Sequence, residues 1–186
     1  MQGRGNLMGL VVMTGASGSG KTAIAAAIKL ALPSITVFRF DTIGVPSAEV
    51  MATFGAGHQP GGAWQRAMTL QWFERIAPIV AAGGAVVFEG QMRISFIREA
   101  FASFQIENAG ILCVECDDPT RRRRLTQDRL QPELANESMF EWSRYLHQEA
   151  VGACCKILDT TWLSLEESVR AVLQVLDEMS NSKEQV

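Results

Sequence analysis

Gly15-Ala16-Ser17-Gly18-Ser19-Gly20-Lys21-Thr22 is the stretch that decides the fold. It fits G-x-x-x-x-G-K-[ST] and stands between an apolar run, Gly9–Thr14, and an Ala-rich helical stretch, Lys21–Leu32, which Pro33 stops. Glycines and small side chains let the backbone curl so that successive N–H groups face one anion. The helix that starts near Lys21 adds its positive end to the same point. A triphosphate tail is therefore expected there, with Lys21 reaching its β- and γ-phosphates and the Thr22 hydroxyl ligating Mg²⁺. ATP and Mg²⁺ are the expected ligands.

The same residues allow a second reading. Gly18-Ser19-Gly20-Lys21-Thr22-Ala23 satisfies G-x-G-x-x-[GA], and Asp41 follows at the distance of a ribose-binding acid in a dinucleotide fold. A short-chain dehydrogenase needs a Tyr-x-x-x-Lys pair, however, and the single tyrosine, Tyr145, has Glu149 four residues on. The Lys-Thr pair is the specific part of the motif, so an oxidoreductase is the remote alternative.

Outside the loop, apolar runs alternate with helical patterns. Strands are expected over Gly9–Thr14, Ile35–Asp41, Ala85–Glu89, Ala109–Cys116 and Lys156–Leu158. Helices are expected over Lys21–Leu32, Pro46–Phe54, Ala63–Ala81 (kinked or ended near Pro78), Met92–Phe104, from Asp118-Pro119 through the arginine run, Glu137–Ala153 and Leu165–Glu178. Asp118 is read as the N-cap of the arginine-run helix and Asp159 as a possible helix cap. The alternation calls for an α/β fold with three α/β/α layers, a five-stranded parallel sheet and right-handed crossovers. One domain over 1–186 is expected, with polar tails at 1–6 and 180–186 left disordered.

Length and composition agree. A single core usually serves about 100–200 residues, and the chain has 186. With 47% hydrophobic and 20% charged residues it is globular. A formal charge of -3 gives no general attraction to nucleic acid or an anionic membrane. Thirteen of the 17 cations are arginine, the side chain shaped for bidentate phosphate or carboxylate contact. Cys113 and Cys116 fall on one strand and point to opposite faces, and Cys154 and Cys155 have no partner pair nearby, so reduced thiols are expected. The opening residues imitate a signal peptide, but cleavage there would cut the phosphate motif, and no run approaches the roughly 18 apolar residues of a membrane span. A cytoplasmic protein without nucleic-acid or membrane partners is the expectation.

Two acids fall at strand ends. Asp41 ends the second expected strand, where ligands bind in open α/β sheets, and could take an acceptor's proton or hold Mg²⁺ through water. Arg39 shares its face, lining the same cleft or pairing with it. Glu89 ends the apolar strand Ala85-Val86-Val87-Phe88, in the place of a metal-linked acid beside a phosphate loop.

Glu89-Gly90-Gln91-Met92-Arg93 resembles the acidic-Gly-x-x-Arg segment of the small P-loop kinases, a family that includes the nucleoside monophosphate, shikimate and gluconate kinases. The resemblance implies that Arg93 grips the acceptor substrate. Gln91-Met92 departs from the aromatic-Pro of the nucleoside monophosphate kinases. Arg121-Arg122-Arg123-Arg124-Leu125 and Asp128-Arg129-Leu130-Gln131-Pro132 resemble the lid of the shikimate and gluconate kinases, so residues 121–136 are the expected lid. At 100° per residue four consecutive arginines cannot face one way. Arg121 and Arg124 share a face, Arg124 can pair with Asp128, and Arg129 with one of Arg121 or Arg124 is expected over the phosphates. Ile157-Leu158-Asp159-Thr160-Thr161 resembles the stretch that flanks the adenine.

The resemblance implies transfer of the γ-phosphoryl group of ATP to a small-molecule hydroxyl or phosphate, with Lys21, Asp41 and Arg129 in the catalytic roles. An ATP-binding regulator or bare ATPase is the alternative. His58 falls in a loop beside the expected acceptor site, His147 in a helix. Trp64 is a candidate lining residue of the acceptor pocket, whereas Trp72, Trp142 and Trp162 read as packing residues. Oligomeric state is not legible.

Overall fold

A computed structural model describes residues 7–55 and 62–183; His58 lies outside the described residues. Five strands, β1 (Gly9–Thr14), β2 (Thr36–Arg39), β3 (Ala85–Glu89), β4 (Ala109–Glu115) and β5 (Lys156–Asp159), form one sheet in the order β2-β3-β1-β4-β5. Each neighbouring pair is parallel, with Val12 opposite Phe88 on one side and Ile111 on the other. The order places β3, not β2, beside β1. A dinucleotide-binding sheet has β2 there, so the oxidoreductase alternative loses its fold.

β1 is buried throughout, and its alternation divides the core. Leu10 and Val12 point into a cluster with Trp72, Phe73, Ile76, Phe88 and Ile97. These come from α3 (Ala63–Ala81), β3 and α4 (Ile94–Ser103). Val11 and Met13 point the other way, toward Ile24, Ile28, Val172 and Leu176 of α1 (Lys21–Ala31) and α7 (Leu165–Lys183). The result is the three-layer α/β/α arrangement expected, because strands buried on both faces need a helical layer on each. Two smaller helices complete it: α2 (Ala48–Ala52), and α5 (Asp118–Arg123), which continues as one π-helical turn over Arg124–Asp128. After a short 3₁₀ turn at Pro132–Leu134, α6 (Glu137–Gly152) packs on β4 and α4.

Several boundaries differ from the sequence reading. β2 stops at Arg39, and Phe40–Ile43 forms a 3₁₀ turn. Phe40 is buried, and its carbonyl accepts a hydrogen bond from Trp72 Nε1 at 3.2 Å, which turns the chain one residue before Asp41. Asp41 therefore sits on an exposed turn and not at a strand end. Pro78 lies inside α3 without ending it. The cap of α5 is Asp117, whose Oδ1 accepts from Thr120 N at 2.8 Å; Asp118 is the first helical residue. Asp159 caps its own turn through Thr161 N, while Ser164 and Glu167 cap α7 reciprocally. That helix runs to Lys183, and the buried Ser180 accepts from Met8 N at 3.0 Å, so the expected polar tail is ordered as far as residue 183. Among the described residues no helix is long and apolar enough to cross a membrane.

Candidate active site

The phosphate loop leaves the carboxyl end of β1, where the strand order reverses and an open α/β sheet has its crevice. Its shape depends on glycine at two crowded positions. Gly15 has φ +148°, and a Cβ there would lie 2.1 Å from the Val114 carbonyl oxygen. Gly18 has φ +82° and packs on Arg121 and Leu125 of the following layer. Ala16, Ser17 and Ser19 are buried between them, and Gly20 precedes the first turn of α1.

Lys21 is only 5% exposed. Its Nζ donates to Ala16 O at 3.0 Å and Ser19 Oγ at 3.2 Å, and no carboxylate among the described residues lies within ion-pair distance. Burial pulls its ammonium down from the ordinary 10.5 to about 8; Glu89 and Asp41 push it back up, Arg121 and Arg129 further down. Asp41 and Arg129 thus act electrostatically on the same amine with opposite sign.

Thr22 donates to Glu89 Oε1 at 3.0 Å, and Arg39 Nε reaches the same oxygen at 3.3 Å. Arg39 pairs with Glu89, its neighbour in the sheet, and has no ion pair with Asp41. A hydroxyl and a buried carboxylate side by side form the hard-oxygen set that suits Mg²⁺, an ion that keeps several waters and takes few protein ligands. The donors fit the expected metal, and among the described residues no richer cluster of His, Cys, Asp or Glu competes with them.

A cleft of about 490 Å³ opens along the loop. Gly18, Gly20, Lys21 and Thr22 form its floor, Ala23, Ile24, Ala26, Leu163 and Leu165 an apolar wall, and Arg124, Asp128, Arg129, Thr160 and Ser168 its remaining rim. Size and lining suit a ligand with one flat apolar end and one anionic end.

The structure separates the lid arginines. Arg121 is completely buried behind the loop: Nη1 donates to Ser17 O at 2.8 Å, Nη2 to Cys116 O at 3.1 Å and Ser143 Oγ at 2.6 Å. It braces the phosphate loop from outside and does not line the cleft, because α5 starts directly behind the loop and turns this side chain inward. Arg124 does line the cleft. It is held by Thr160 Oγ1 and Thr160 O, both at 2.8 Å, and by Gly18 O at 3.4 Å, in place of the expected Asp128 pair. Arg129 is exposed on the cleft rim.

Arg93 is set differently from the substrate-gripping role. Its guanidinium lies over Phe96 and Tyr145, 5.1 and 5.2 Å from the ring centroids, and its Nε is 3.6 Å from Glu149 Oε1. Glu149 in turn accepts from Ile94 N and Ser95 N at the start of α4. Arg93 therefore fastens α4 to α6.

Some residues of the site were missed or misread in the sequence. Gln91 spans onto the phosphate loop, bonding Ser17 N and Ser17 Oγ, and Gln65 of α3 holds the Gln91 carbonyl and the Arg93 amide. The signal available was the two-residue departure at Gln91-Met92. Thr160 is a buried hydroxyl joining Ser19, Glu115 and Arg124. Trp64 is buried edge-to-face against Phe40, while Trp162, read as a packing residue, is 91% exposed. His147 lies 2.8 Å from Glu115 on a surface pair. All four cysteines are free, with burial pushing Cys113 up to about 12.

No protein-family model and no curated protein matches the chain. Solved structures do. A sugar kinase from Janibacter superposes with a TM-score of 0.68 at 17% identity, covering 91% of this chain and 95% of that one. A gluconokinase from Sinorhizobium meliloti gives 0.65 at 19% identity, covering 97% and 99%. A shikimate kinase from Acinetobacter baumannii, solved with shikimate, gives 0.56 at 14%, covering 95% of each. These likenesses run nearly the full length of both chains. The chain has the fold of the small P-loop kinases.

Proposed function

We propose that the chain is an ATP-dependent phosphotransferase that moves the γ-phosphoryl group to a hydroxyl or phosphate of a small molecule. One observation carries the reading: Lys21 is a buried ammonium in the phosphate loop that, among the described residues, bonds a carbonyl and a hydroxyl and no carboxylate. A buried cation without a counter-ion costs free energy, and a site retains one where a ligand supplies the anion. Apolar walls beside it suit the adenine, and the kinase fold of the structural neighbours supports the same chemistry.

In this reading Lys21 and the loop amides from Gly18 to Thr22 hold the phosphate chain, with α1 directing its positive end at it. Thr22 and Glu89 are the residues that would hold Mg²⁺, and the ion would supply positive charge to the phosphates. Arg124 and Arg129 stand on the rim where they offset charge on the transferring group. Asp41 orients the acceptor and takes its proton when it is an alcohol. Arg39 holds Glu89 in place beside Thr22 through its Nε. Of the expected lid over residues 121–136, the part beyond the buried Arg121 closes over the phosphates and excludes water.

The test is ADP release by pure protein with Mg-ATP, with and without pooled small metabolites, followed by mass analysis of the pool. A metabolite-dependent rise and one phosphorylated product are expected. ADP release unaffected by any metabolite would favour a bare ATPase.

A further inference from the structure

Gln91 occupies a position that the phosphotransfer reading has not used. Gly90 passes tightly over Phe40, where a Cβ would lie 2.5 Å from the Phe40 Cβ, and its N–H bonds Met13 O at 3.1 Å. The chain is thereby pinned to the end of the sheet, and the next side chain is thrown across onto the phosphate loop. Ser17 N donates to Gln91 Oε1 at 3.1 Å, and Gln91 Nε2 donates to Ser17 Oγ at 3.1 Å. The backbone N–H can only donate, which fixes which end of the amide is oxygen. Gln65 then holds the Gln91 peptide: its Nε2 donates to Gln91 O at 3.1 Å while its Oε1 accepts from Arg93 N at 2.9 Å.

The placement has a side. Gly18, Gly20, Lys21 and Thr22 face the 490 Å³ cleft, and Ser17 does not. Ser17 is tied instead to Gln91, whose neighbour Gly90 passes over Phe40 in the turn that carries Asp41. Two partners fix the consecutive peptide units on either side of Ser17: Gln91 accepts from the N–H of the Ala16–Ser17 unit, and Arg121 donates to the carbonyl of the Ser17–Gly18 unit. Held on both sides, the Ser17 backbone keeps this flank of the loop in one shape. One Nε2 hydrogen and one Oε1 lone pair of Gln91 remain after its two bonds to Ser17.

We propose that Gln91 is a positioning residue for phosphoryl transfer, holding the acceptor-side flank of the loop in the shape the transferring group requires. The inference rests on the phosphotransfer reading. In the step it serves, a bond forms from the acceptor oxygen to the γ-phosphorus while the bond from that phosphorus to the β–γ bridging oxygen breaks. The electron pair leaves with ADP, and the acceptor's proton goes to Asp41. Gln91 forms no covalent bond. It acts through Ser17, so its contribution belongs to the transfer geometry and little of it to nucleotide affinity.

The test needs no acceptor. Binding of MgADP, alone and with aluminium fluoride as a mimic of the transferring phosphoryl group, is measured by calorimetry on the parent, Gln91→Ala and the isosteric Gln91→Glu. Melting curves of all three establish that they fold. MgADP affinity within about threefold of the parent is expected for both variants, while the tightening produced by aluminium fluoride falls at least about tenfold. Gln91→Glu keeps the bond to Ser17 N–H and loses the donor, so a smaller defect than in Gln91→Ala is expected at the loop, with the added charge opposing the fluoride complex. Equal tightening in parent and variants overturns the role of Gln91, as does a parent that binds MgADP without tightening. A parent that binds no MgADP overturns the phosphotransfer reading and this inference with it.

Discussion

Replacing Lys21 with methionine should stabilise the protein and damage its site at once. The displacement of the ammonium from 10.5 to about 8 by burial corresponds to roughly 3 kcal/mol of cost in keeping it charged. Methionine fills a similar volume without that cost, but it leaves the Ala16 carbonyl and Ser19 hydroxyl without their donor, a loss of about 1 kcal/mol. The net gain is about 2 kcal/mol, which for a chain of this length raises Tm by about 4–8 °C at pH 7. The sign with pH follows from linkage. Below about pH 8 the folded and unfolded chains both carry the proton, and the folded parent bears the full cost. Between about 8 and 10.5 the folded chain releases it first, so the parent gains stability as pH rises and the advantage of the variant shrinks. Thermal or urea unfolding at pH 7 and at pH 10 measures both effects, and calorimetry should find MgATP affinity reduced at least about tenfold. A Lys21→Met protein that melts below the parent at pH 7 while binding MgATP equally well would refute the reasoning.

Three further substitutions separate the roles assigned to neighbouring residues. Asp41→Asn, on an exposed turn, should leave MgATP affinity within a few-fold and Tm nearly unchanged, but cut transfer by about 10²–10⁴; an equal loss of binding and turnover would remove it from the acceptor side. Arg121→Ala opens a cavity behind the loop and orphans the Ser17 and Cys116 carbonyls, so a loss of about 3 kcal/mol is expected, whereas Arg129→Ala on the rim should melt with the parent; equal melting of both variants would contradict the division of the lid arginines.

The fold was legible because its signals are local and repeated. Apolar runs of strand length alternate with helical patterns, and the Gly-Lys-Thr end of the loop fixes where the sheet has its crevice. Strand order was not legible, since adjacency of β1 and β3 is set by packing far apart in the chain. Within the site, the loop and Glu89 were readable from a motif and a strand end. Asp41 was placed one structural step off because Phe40 turns into the core before it, a choice made by Trp72 thirty-two residues away. The arginine run resisted reading for the same reason. Helical geometry says that Arg121 and Arg124 share a side, but only the packing of α5 behind the loop buries the first and leaves the second on the cleft. Arg93 carries its expected role by resemblance alone, whereas Tyr145 and Glu149, which hold it beside Phe96, come from α6, more than fifty residues on. Gln91 stood out only as a departure from a family pattern, and its bonds to Ser17 required the chain's crossing over Phe40.

The most direct test is a titration of the intact protein with ATP in the presence of magnesium, followed by heat, with Lys21→Met as the control. Saturable binding at one site, weakened by the substitution, is what the buried and unpaired Lys21 requires. Absence of saturation with every nucleoside triphosphate would contradict the account at its base.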